Sequence, residues 1–327
     1  MTARALITGI TGQDGGYLAS HLLARGYEVI GVLEESRFSS LWTLDYLGIL
    51  PQVRLLKARL ADSVDVQRLV LEVKPDEVYN LAAQSSVSAS FRQPALTMQA
   101  NIQPVMNWLE AIRVLAPGIR LYHASSSEMY GHVEHACVTS GTLFNPISPY
   151  AVSKVAAHHL VRSYRKAYGI FAVSGILFNH ESALRKVDFF TRKLMDGALA
   201  LAAGQISTLS FGNLDVRRDF GYAPDYVQAM WLMLQQQEPG DHLICTGRSV
   251  SLREIVACVF RSLNISEQAL LCDASLYRPA EIADLYGSPL DAQRQLGWSS
   301  SHDAFQTMEA ILEERLRMQQ QGVIMPA

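Results

Sequence analysis

The chain has 327 residues, a length that suits one large α/β domain or a large domain with a smaller one. Hydrophobic residues make up 49% of it and charged residues 18%, which provides material for a buried core and excludes a globally disordered chain. The net charge of -3 argues against nucleic acid as the main partner, because binding to a phosphate backbone requires a basic surface.

The sequence shows no pattern typical of a secretory signal, a membrane-spanning helix or a metal site. Glycine and aspartate interrupt the apolar stretch at the N-terminus at once, so it does not resemble a secretory signal. No apolar run reaches the ~18 residues that a membrane-spanning helix needs. The four cysteines lie far apart without CxxC spacing, which favours buried free thiols over disulfides or structural zinc. We therefore expect a cytoplasmic protein with no metal site.

Short apolar runs alternate with helical patterns along the first part of the chain. In chain order the pattern predicts strand 4–8, helix 15–25, strand 28–33, strand 53–58, helix 64–73, strand 77–82, helix 100–114, strand 119–124, helix 149–168 and strand 172–177. This alternation is typical of βαβ units, because parallel strands need a crossover connection. It predicts an α/β fold with a Rossmann-type, doubly wound parallel sheet.

The rhythm becomes less regular after about residue 180. Helical patterns cover 189–203, 225–236 and 251–263, and proline and glycine interrupt the segments between them. We predict a dinucleotide-binding domain over residues 1–178, whose sheet is completed by later segments. Residues 179–327 are predicted to form a smaller, interleaved substrate-binding portion.

The first chemical motif is a glycine-rich turn that follows the first strand and opens the first helix. Such a turn lets the backbone approach a pyrophosphate, whose charge meets the helix N-terminus. An acid at the end of the second strand, Glu34 or Glu35, stands about 20 residues beyond the turn, where a ribose 2′-hydroxyl is recognised. The predicted cofactor-binding residues of the turn are Gly9, Thr11, Gly12, Gln13, Asp14 and Gly15.

The second motif places Tyr150 and Lys154 four residues apart on one helical face, after a strand that ends in Ser125–Glu128. An ammonium beside a phenol favours the phenolate, so we predict that Lys154 lowers the pKa of Tyr150. A phenol tuned in this way can exchange a proton with an alcohol while a hydride moves to a nicotinamide. Together with the glycine-rich turn, the motif predicts an NAD(P)-dependent enzyme.

Longer stretches of the chain resemble the extended short-chain dehydrogenases/reductases and, within them, the GDP-mannose 4,6-dehydratase family. The matching stretches are GITGQDG, VYNLAAQSSV, ASSSEMYG, SPYAVSK, GILFNHES, TRK, RRDFGYAPDYV, MWLMLQQ and YRPAEI. The resemblance implies oxidation of a hexose at C4, loss of water across C5 and C6, and return of the same hydride to C6. It implies a GDP-hexose as substrate and NADP or NAD as a tightly bound, recycled cofactor.

The resemblance also implies roles for individual residues. The catalytic set would be Ser126, Glu128, Tyr150 and Lys154, with serine in place of the family's threonine. Glu128 would take the C5 proton and protonate the departing C6 hydroxyl, a task that an epimerase or a simple reductase does not have. The implied substrate-binding residues are Ser85, Ser126, Asn179, Lys193, Arg218, Arg278 and Glu281. The implied further cofactor-binding residues are Glu34, Arg37, Asp62, Leu81, Ala83, Tyr150, Lys154, His180 and Arg185.

Several departures from the family pattern concern the cofactor. The family usually places arginines after the second strand to bind the 2′-phosphate of NADP, whereas this chain has Glu34, Glu35 and then Arg37. Carboxylates there repel a phosphate and accept a 2′-hydroxyl, so the choice between NAD and NADP stays open. Arg59 replaces a common aspartate. Farther along, Ile147 replaces an arginine, and Ala183 and Lys186 replace a proline and a glycine.

Three alternatives remain at this point. The substrate could be another GDP-sugar such as a GDP-heptose, the enzyme could be a C4-epimerase or 4-keto reductase, or the chain could be a non-catalytic cofactor-binding protein. The complete Ser, Glu, Tyr and Lys set argues against the last. Relatives assemble as dimers or tetramers, so a homodimer or homotetramer is expected, without nucleic-acid or membrane partners.

Overall fold

The computed structural model describes residues 2–34 and 40–326. Within these ranges the strands are β1 (Arg4–Thr8), β2 (Glu28–Glu34), β3 (Val53–Ala58), β4 (Glu77–Asn80), β5 (Arg120–Ser126), β6 (Cys137–Val138), β7 (Ala172–Leu177), β8 (Asn179–Glu181), β9 (Leu209–Phe211), β10 (Arg217–Tyr222), β11 (Asp241–Ile244), β12 (Ser249–Ser251), β13 (Leu270–Cys272) and β14 (Asp284–Gly287). The helices are α1 (Gln13–Leu23), α2 (Trp42–Tyr46), α3 (Ser63–Val73), α4 (Val87–Arg92), α5 (Pro94–Leu115), α6 (Pro149–Tyr168), α7 (Phe190–Ala202), α8 (Ala223–Leu234), α9 (Leu252–Ser262), α10 (Leu290–Leu296) and α11 (Ala304–Gln320).

Seven parallel strands form the main sheet in the order β11-β7-β5-β4-β1-β2-β3. The central strand β4 is buried along its whole length, and its two polar residues, Glu77 and Asn80, accept hydrogen bonds from the hydroxyls of Tyr79 and Thr8. The strands predicted at 4–8, 53–58 and 172–177 have the observed ends. The helix predicted at 100–114 begins earlier, because Pro94 occupies the first turn of α5, where its missing N–H is not needed.

Helices cover both faces of this sheet. On one face α1 and α8 pack through Leu18, Leu22 and Met230. On the other face α3, α5 and α6 pack through a second apolar cluster that includes Leu69 and Trp108. The doubly wound α/β fold predicted from the sequence is confirmed.

The later part of the chain adds a second, smaller body of structure. Strand β10 lies in a sheet of order β12-β10-β14-β6, and β8 pairs alongside it. Helices α7, α9 and α11 surround a separate apolar cluster. Because β11 pairs with β7, the main sheet takes its last strand from this later part. The domain division at residue 178 stays a prediction.

The carboxyl ends of β1, β4, β5 and β7 define one edge of the main sheet. The strand order reverses between β1 and β4, and ligands of doubly wound sheets bind in the crevice at such a reversal. The predicted motifs follow these strand ends: the glycine-rich turn follows β1, and Ser126 ends β5.

Two predictions about the whole chain can be compared with the structure. Of the helices within the described ranges, none is long and apolar enough to cross a membrane. All four cysteines are free thiols, as predicted. The expectation that they are buried is wrong for Cys137 and Cys272, which are exposed, and holds fully only for Cys245.

Candidate active site

The turn between β1 and α1 forms a backbone cradle. Gly9 has a φ of 72°, and a Cβ on Gly15 would lie 2.3 Å from the carbonyl oxygen of Gly9. Both positions therefore need glycine. Gly12 begins α1 without a side-chain cap, so the first backbone N–H groups of the helix face outward for an anion. The turn fits the pyrophosphate of a dinucleotide, with Thr11 between its first two glycines.

We expect Gly15→Ala to weaken cofactor binding roughly 100-fold, because the new methyl group must displace the backbone of the turn. The added Cβ would also lie 2.6 Å from the Cα of Ile10. Gly118→Ala is the matched control, since its Cβ would have no neighbour within 4 Å. Calorimetric titration with NAD measures the cofactor affinity of both variants, and thermal unfolding measures their stability. Wild-type affinity in Gly15→Ala would rule out this turn as the pyrophosphate site.

The floor of the crevice joins β1 to the loop after β4. The Thr8 hydroxyl donates to Oδ1 of Asn80 at 3.0 Å and accepts the backbone N–H groups of Leu81 and Ala82, each at 3.1 Å. Leu81 is partly buried and Ala83 is exposed on this loop. The structure thus places both predicted cofactor residues beside the glycine-rich turn, where a Cβ on Gly9 would meet the Ala82 backbone nitrogen at 3.0 Å.

Glu34 is the last residue of β2 and lies in register with Ala58 of β3. This position is at the carboxyl edge, where the second strand of a dinucleotide fold presents its acid to the ribose. Arg37 and Glu35, which the sequence also suggests for the cofactor, lie outside the described residues.

Asp62 contributes to local structure at the end of β3. Its carboxylate accepts the backbone N–H of Val64 at 2.9 Å and caps α3, and it forms an ion pair with Arg59 at 3.1 Å. Arg59 also pairs with Asp65 at 3.2 Å. These two interactions give Asp62 a structural role. Its contact with a cofactor stays a prediction.

Ser126 and Glu128 stand where β5 passes into the short 3-10 helix Ser127–Tyr130. The Ser126 hydroxyl accepts the backbone N–H of Glu128 at 3.2 Å. Glu128 is partly exposed, and its charge acts on both the Tyr150 phenol and the Arg218 guanidinium. The carboxylate is therefore within electrostatic range of both the predicted catalytic helix and the predicted substrate-binding strand.

Helix α6 brings Tyr150 and Lys154 to the crevice. Ser148 caps the helix by accepting the backbone N–H of Ala151 at 3.1 Å. Tyr150 and Lys154 are 7% and 5% exposed, one helical turn apart. The Lys154 ammonium donates to the carbonyl oxygen of Ala124 at 2.8 Å and lies 5.8 Å from the centroid of the Tyr150 ring.

The predicted lowering of the Tyr150 pKa by Lys154 is wrong for the chain's own residues. Burial raises the pKa of Tyr150 to about 12, and the negative charges of Glu128 and Asp14 act in the same direction. A hydrogen bond with Ser126 and the charge of Arg185 oppose the rise. Burial also lowers the pKa of Lys154 to about 8. The desolvation of both groups outweighs their proximity.

His180 and Arg185 lie beside the glycine-rich turn, and each pairs with a carboxylate. Nε2 of His180 is 2.9 Å from Oδ2 of Asp14. The Nε of Arg185 is 3.1 Å from Glu181, and its guanidinium carbon lies 3.7 Å from the centroid of the Phe189 ring. Their predicted contacts with the cofactor stay predictions.

Four of the predicted substrate-binding residues lie on or near the paired strands β8 and β10. Arg218 on β10 is buried, and its guanidinium donates to the carbonyl oxygens of Arg217 and Ile282, each at 2.7 Å. Burial lowers the pKa of Arg218, the charge of Arg278 lowers it further, and Glu281 raises it. Arg278 and Glu281 therefore lie near the Arg218 guanidinium. Asn179 stands on β8, beside β10.

Lys193 and Ser85 lie at the edges of the site. Lys193 is an exposed residue of α7, with its ammonium 5.0 Å from the centroid of the Phe211 ring. Ser85 is exposed in the loop that follows β4. Their contacts with a sugar nucleotide stay predictions.

Comparison with known proteins agrees with this geometry. The model of the GDP-mannose 4,6-dehydratase family matches residues 6–311. GDP-mannose 4,6-dehydratase of Vibrio cholerae is 38% identical, over 99% of this chain and 97% of the relative. The Homo sapiens enzyme of the same name is 40% identical, over 90% of this chain and 86% of the relative. The chain belongs to the GDP-mannose 4,6-dehydratase family.

A solved structure extends the comparison to the cofactor. The Thermus thermophilus UDP-glucose 4-epimerase, solved as a complex with NAD, is 26% identical, with a TM-score of 0.83 over 95% of this chain and 98% of that one. The GDP-mannose 4,6-dehydratase family is NAD(P)-dependent, which confirms the cofactor class predicted from the glycine-rich turn.

Three of the departures from the family pattern lie outside the glycine-rich turn and the end of β2. Ala183 is buried, Lys186 is exposed, and Ile147 packs partly buried against an apolar cluster. None of them replaces a member of the Ser, Glu, Tyr and Lys set.

One residue of the site escaped prediction from the sequence. Asn101 on α5 donates to the Ser153 hydroxyl at 2.9 Å and accepts the backbone N–H of Gln84 at 2.8 Å. Ser153 in turn donates to the carbonyl oxygen of Tyr150 at 2.7 Å. Asn101 therefore joins the loop after β4 to α6, which carries the predicted catalytic residues. The buried positions of α5 also include Thr97 and Asn107, so the sequence does not distinguish Asn101 from its polar neighbours.

Proposed function

We propose that the chain is a nucleotide-sugar 4,6-dehydratase that converts GDP-mannose to GDP-4-keto-6-deoxymannose. The observation that carries this proposal is a carboxylate, Glu128, at the same strand end as Ser126 and within electrostatic range of Tyr150. The net reaction removes one water from the sugar and consumes no cofactor. Another GDP-sugar, such as a GDP-heptose, is the second candidate substrate.

Oxidation at C4 is assigned to Tyr150, which takes the proton of the C4 hydroxyl while Ser126 hydrogen-bonds O4. A bound NAD(P) would supply the hydride acceptor for C4 and the hydride donor for C6. Because burial holds the pKa of Tyr150 at about 12, the phenolate forms only with help. The Ser126 hydrogen bond and the charge of Arg185 favour the phenolate, and Lys154 is assigned to bind the ribose.

Elimination is assigned to Glu128. The C4 ketone acidifies the proton on C5, the carboxylate takes that proton, and it then protonates the C6 hydroxyl, which leaves as water. C5 regains a proton when the hydride reaches C6, and this proton balances the one that Tyr150 took from O4. One carboxylate can serve as base and then as acid, because the second transfer gives the C6 hydroxyl the proton that the first one took from C5 and so restores the carboxylate.

Binding of the GDP moiety is assigned to the cationic groups on and around β10. The Arg218 guanidinium is held by the carbonyl oxygens of Arg217 and Ile282, which leaves its other N–H groups for the diphosphate. Arg278 adds positive charge beside it, and Glu281 is assigned to hydroxyl or base donors. A fixed guanidinium loses little side-chain entropy when it binds.

Anaerobic incubation of the purified protein with GDP-mannose, followed by mass spectrometry, tests the function. The dehydratase produces a sugar nucleotide lighter by one water molecule, and its cofactor is unchanged after many turnovers. A C4-epimerase leaves the mass unchanged, and a reductase consumes cofactor in proportion to product. Either of those outcomes would refute the proposal, and GDP-heptose is then the next substrate for the same assay.

We expect NAD to bind at least about tenfold more tightly than NADP, because the Glu34 carboxylate at the end of β2 repels a 2′-phosphate and accepts a 2′-hydroxyl. The cofactor released on denaturation and the two dissociation constants measure this preference. Glu34→Gln should reduce the ratio toward one, whereas Glu72→Gln on the exposed side of α3 should not change it. Release of NADP from the purified protein would contradict the expectation.

Two further properties belong to the proposal. We propose that the protein assembles as a homodimer or homotetramer, which sedimentation of the purified protein measures directly. We also propose a cytoplasmic location, which fits four free thiols.

A further inference from the structure

A compact set of hydrogen bonds joins the first turn of α1 to β8. The Gln13 amide donates to the carbonyl oxygen of His180 at 3.1 Å, and the Ser182 hydroxyl donates to the Gln13 amide oxygen at 2.7 Å. Next to them, Nε2 of His180 lies 2.9 Å from the Asp14 carboxylate. The dinucleotide-binding turn is therefore linked directly to the segment that carries Asn179.

The partners of His180 determine its charge. Its Nε2 faces the Asp14 carboxylate, and its Nδ1 lies 2.7 Å from the carbonyl oxygen of Phe178. Neither partner can donate a proton, so both ring nitrogens donate and the ring is an imidazolium. Burial opposes this charge, but Asp14 raises the pKa of His180. Burial also acts to raise the pKa of Asp14, and His180 and Gln13 overcome it and bring that pKa to about 2.

An aromatic ring packs against the face of the His180 imidazolium. The imidazolium stacks on the ring of Tyr226, with centroids 4.6 Å apart and planes 17° apart, and Tyr226 packs edge-on against Trp298. Gly221 on β10 lies in register with His180 on β8. A Cβ on Gly221 would come within 2.3 Å of the Tyr226 ring. The absence of a side chain at Gly221 therefore allows the stack.

We infer that Asp14 and His180 form a positioning clamp, in which the ion pair fixes the first turn of α1 so that its backbone N–H groups are aimed at the cofactor pyrophosphate. His180 is then a positioning residue that acts through Asp14. This inference rests on the proposed dinucleotide site. It differs from the role that the family resemblance implies, in which each of the two side chains contacts the cofactor separately.

A double-mutant cycle on the NAD dissociation constant separates the two roles. If the residues act as one clamp, Asp14→Asn and His180→Gln each weaken NAD binding about tenfold, and the double variant is no weaker than the single ones. If each side chain contacts the cofactor independently, the losses multiply to about 100-fold, which would overturn the inference. Unchanged affinity in the single variants would overturn it as well.

Asp241→Asn controls for a general loss of stability. Asp241 pairs with Arg165 at 2.5 Å and has a side chain 21% exposed, similar to the 24% of Asp14, but it begins β11 at the opposite edge of the sheet. We expect this variant to unfold at a lower temperature with its NAD affinity unchanged. If the two clamp variants behave in the same way, the pair is only structural.

Ser182→Ala keeps the inference testable if His180→Gln does not fold. It removes the neutral hydrogen bond to Gln13 and leaves the ion pair intact. We expect it to weaken NAD binding about threefold, and unchanged affinity would count against the clamp. NAD binding does not require turnover, so failure of the protein to dehydrate GDP-mannose would refute the proposed function without changing the result of this cycle.

Discussion

Replacing Glu128 with glutamine is expected to stop the reaction at the C4 ketone. The amide keeps the size of the side chain but cannot accept the C5 proton, so water is not lost. The residues to which oxidation at C4 is assigned, Tyr150 and Ser126, stay in place in this variant. We therefore expect turnover to fall about 1000-fold, within the range of general acid–base catalysis, while reduced cofactor accumulates to one equivalent per site.

The absorbance of the reduced nicotinamide and mass spectrometry of the bound sugar measure these effects. Glu134→Gln is the matched control, because Glu134 is an exposed glutamate six positions farther along the chain. Wild-type turnover by Glu128→Gln would remove the carboxylate from the mechanism. If the variant forms no reduced cofactor, Glu128 acts before elimination, and its assigned role is wrong.

Replacing Tyr150 with phenylalanine is expected to block the reaction one step earlier. The substitution keeps the buried ring and removes only the hydroxyl, to which the transfer of the C4 proton is assigned. Without that proton transfer the hydride cannot leave C4, so we expect turnover to fall at least about 1000-fold and no reduced cofactor to form. Stopped-flow absorbance during the first turnover checks this expectation.

Tyr168→Phe provides the comparison for Tyr150. Tyr168 is the last residue of the same helix and is 54% exposed, so loss of its hydroxyl should leave turnover unchanged. Reduced cofactor in Tyr150→Phe at the wild-type rate would assign the C4 proton to another group. Together the Glu128 and Tyr150 variants separate oxidation from elimination, because only the first is expected to accumulate the ketone.

The fold and the position of the site follow from local sequence patterns. The alternation of apolar strands and helices predicts the parallel sheet, and the carboxyl ends of parallel strands meet at one edge. Motifs that follow β1 and β5 must therefore lie in the same crevice, although more than a hundred residues separate Gly9 from Ser126. The glycines of the turn are predictable for the same reason, since their requirement is a property of the backbone.

The charge state of the catalytic pair could not be predicted in this way. The spacing of Tyr150 and Lys154 places them on one helical face, but it does not say where the ammonium points or how deeply either group is buried. In the structure Lys154 donates to Ala124 on β5, and burial dominates the pKa values of both side chains. Desolvation depends on everything packed around a group, and only the tertiary structure determines it.

The sequence by itself determined the doubly wound sheet, the glycine-rich turn and the position of Tyr150 and Lys154 on one helix, because these depend on periodicity and on short-range spacing. The tertiary structure decided which side chains pair. His180 meets Asp14 across 166 positions of the chain, and Asn101 meets Ser153 across 52. Such contacts arise where separate segments return to the same edge of the sheet, and the distance between two side chains there depends on packing, which local patterns do not encode.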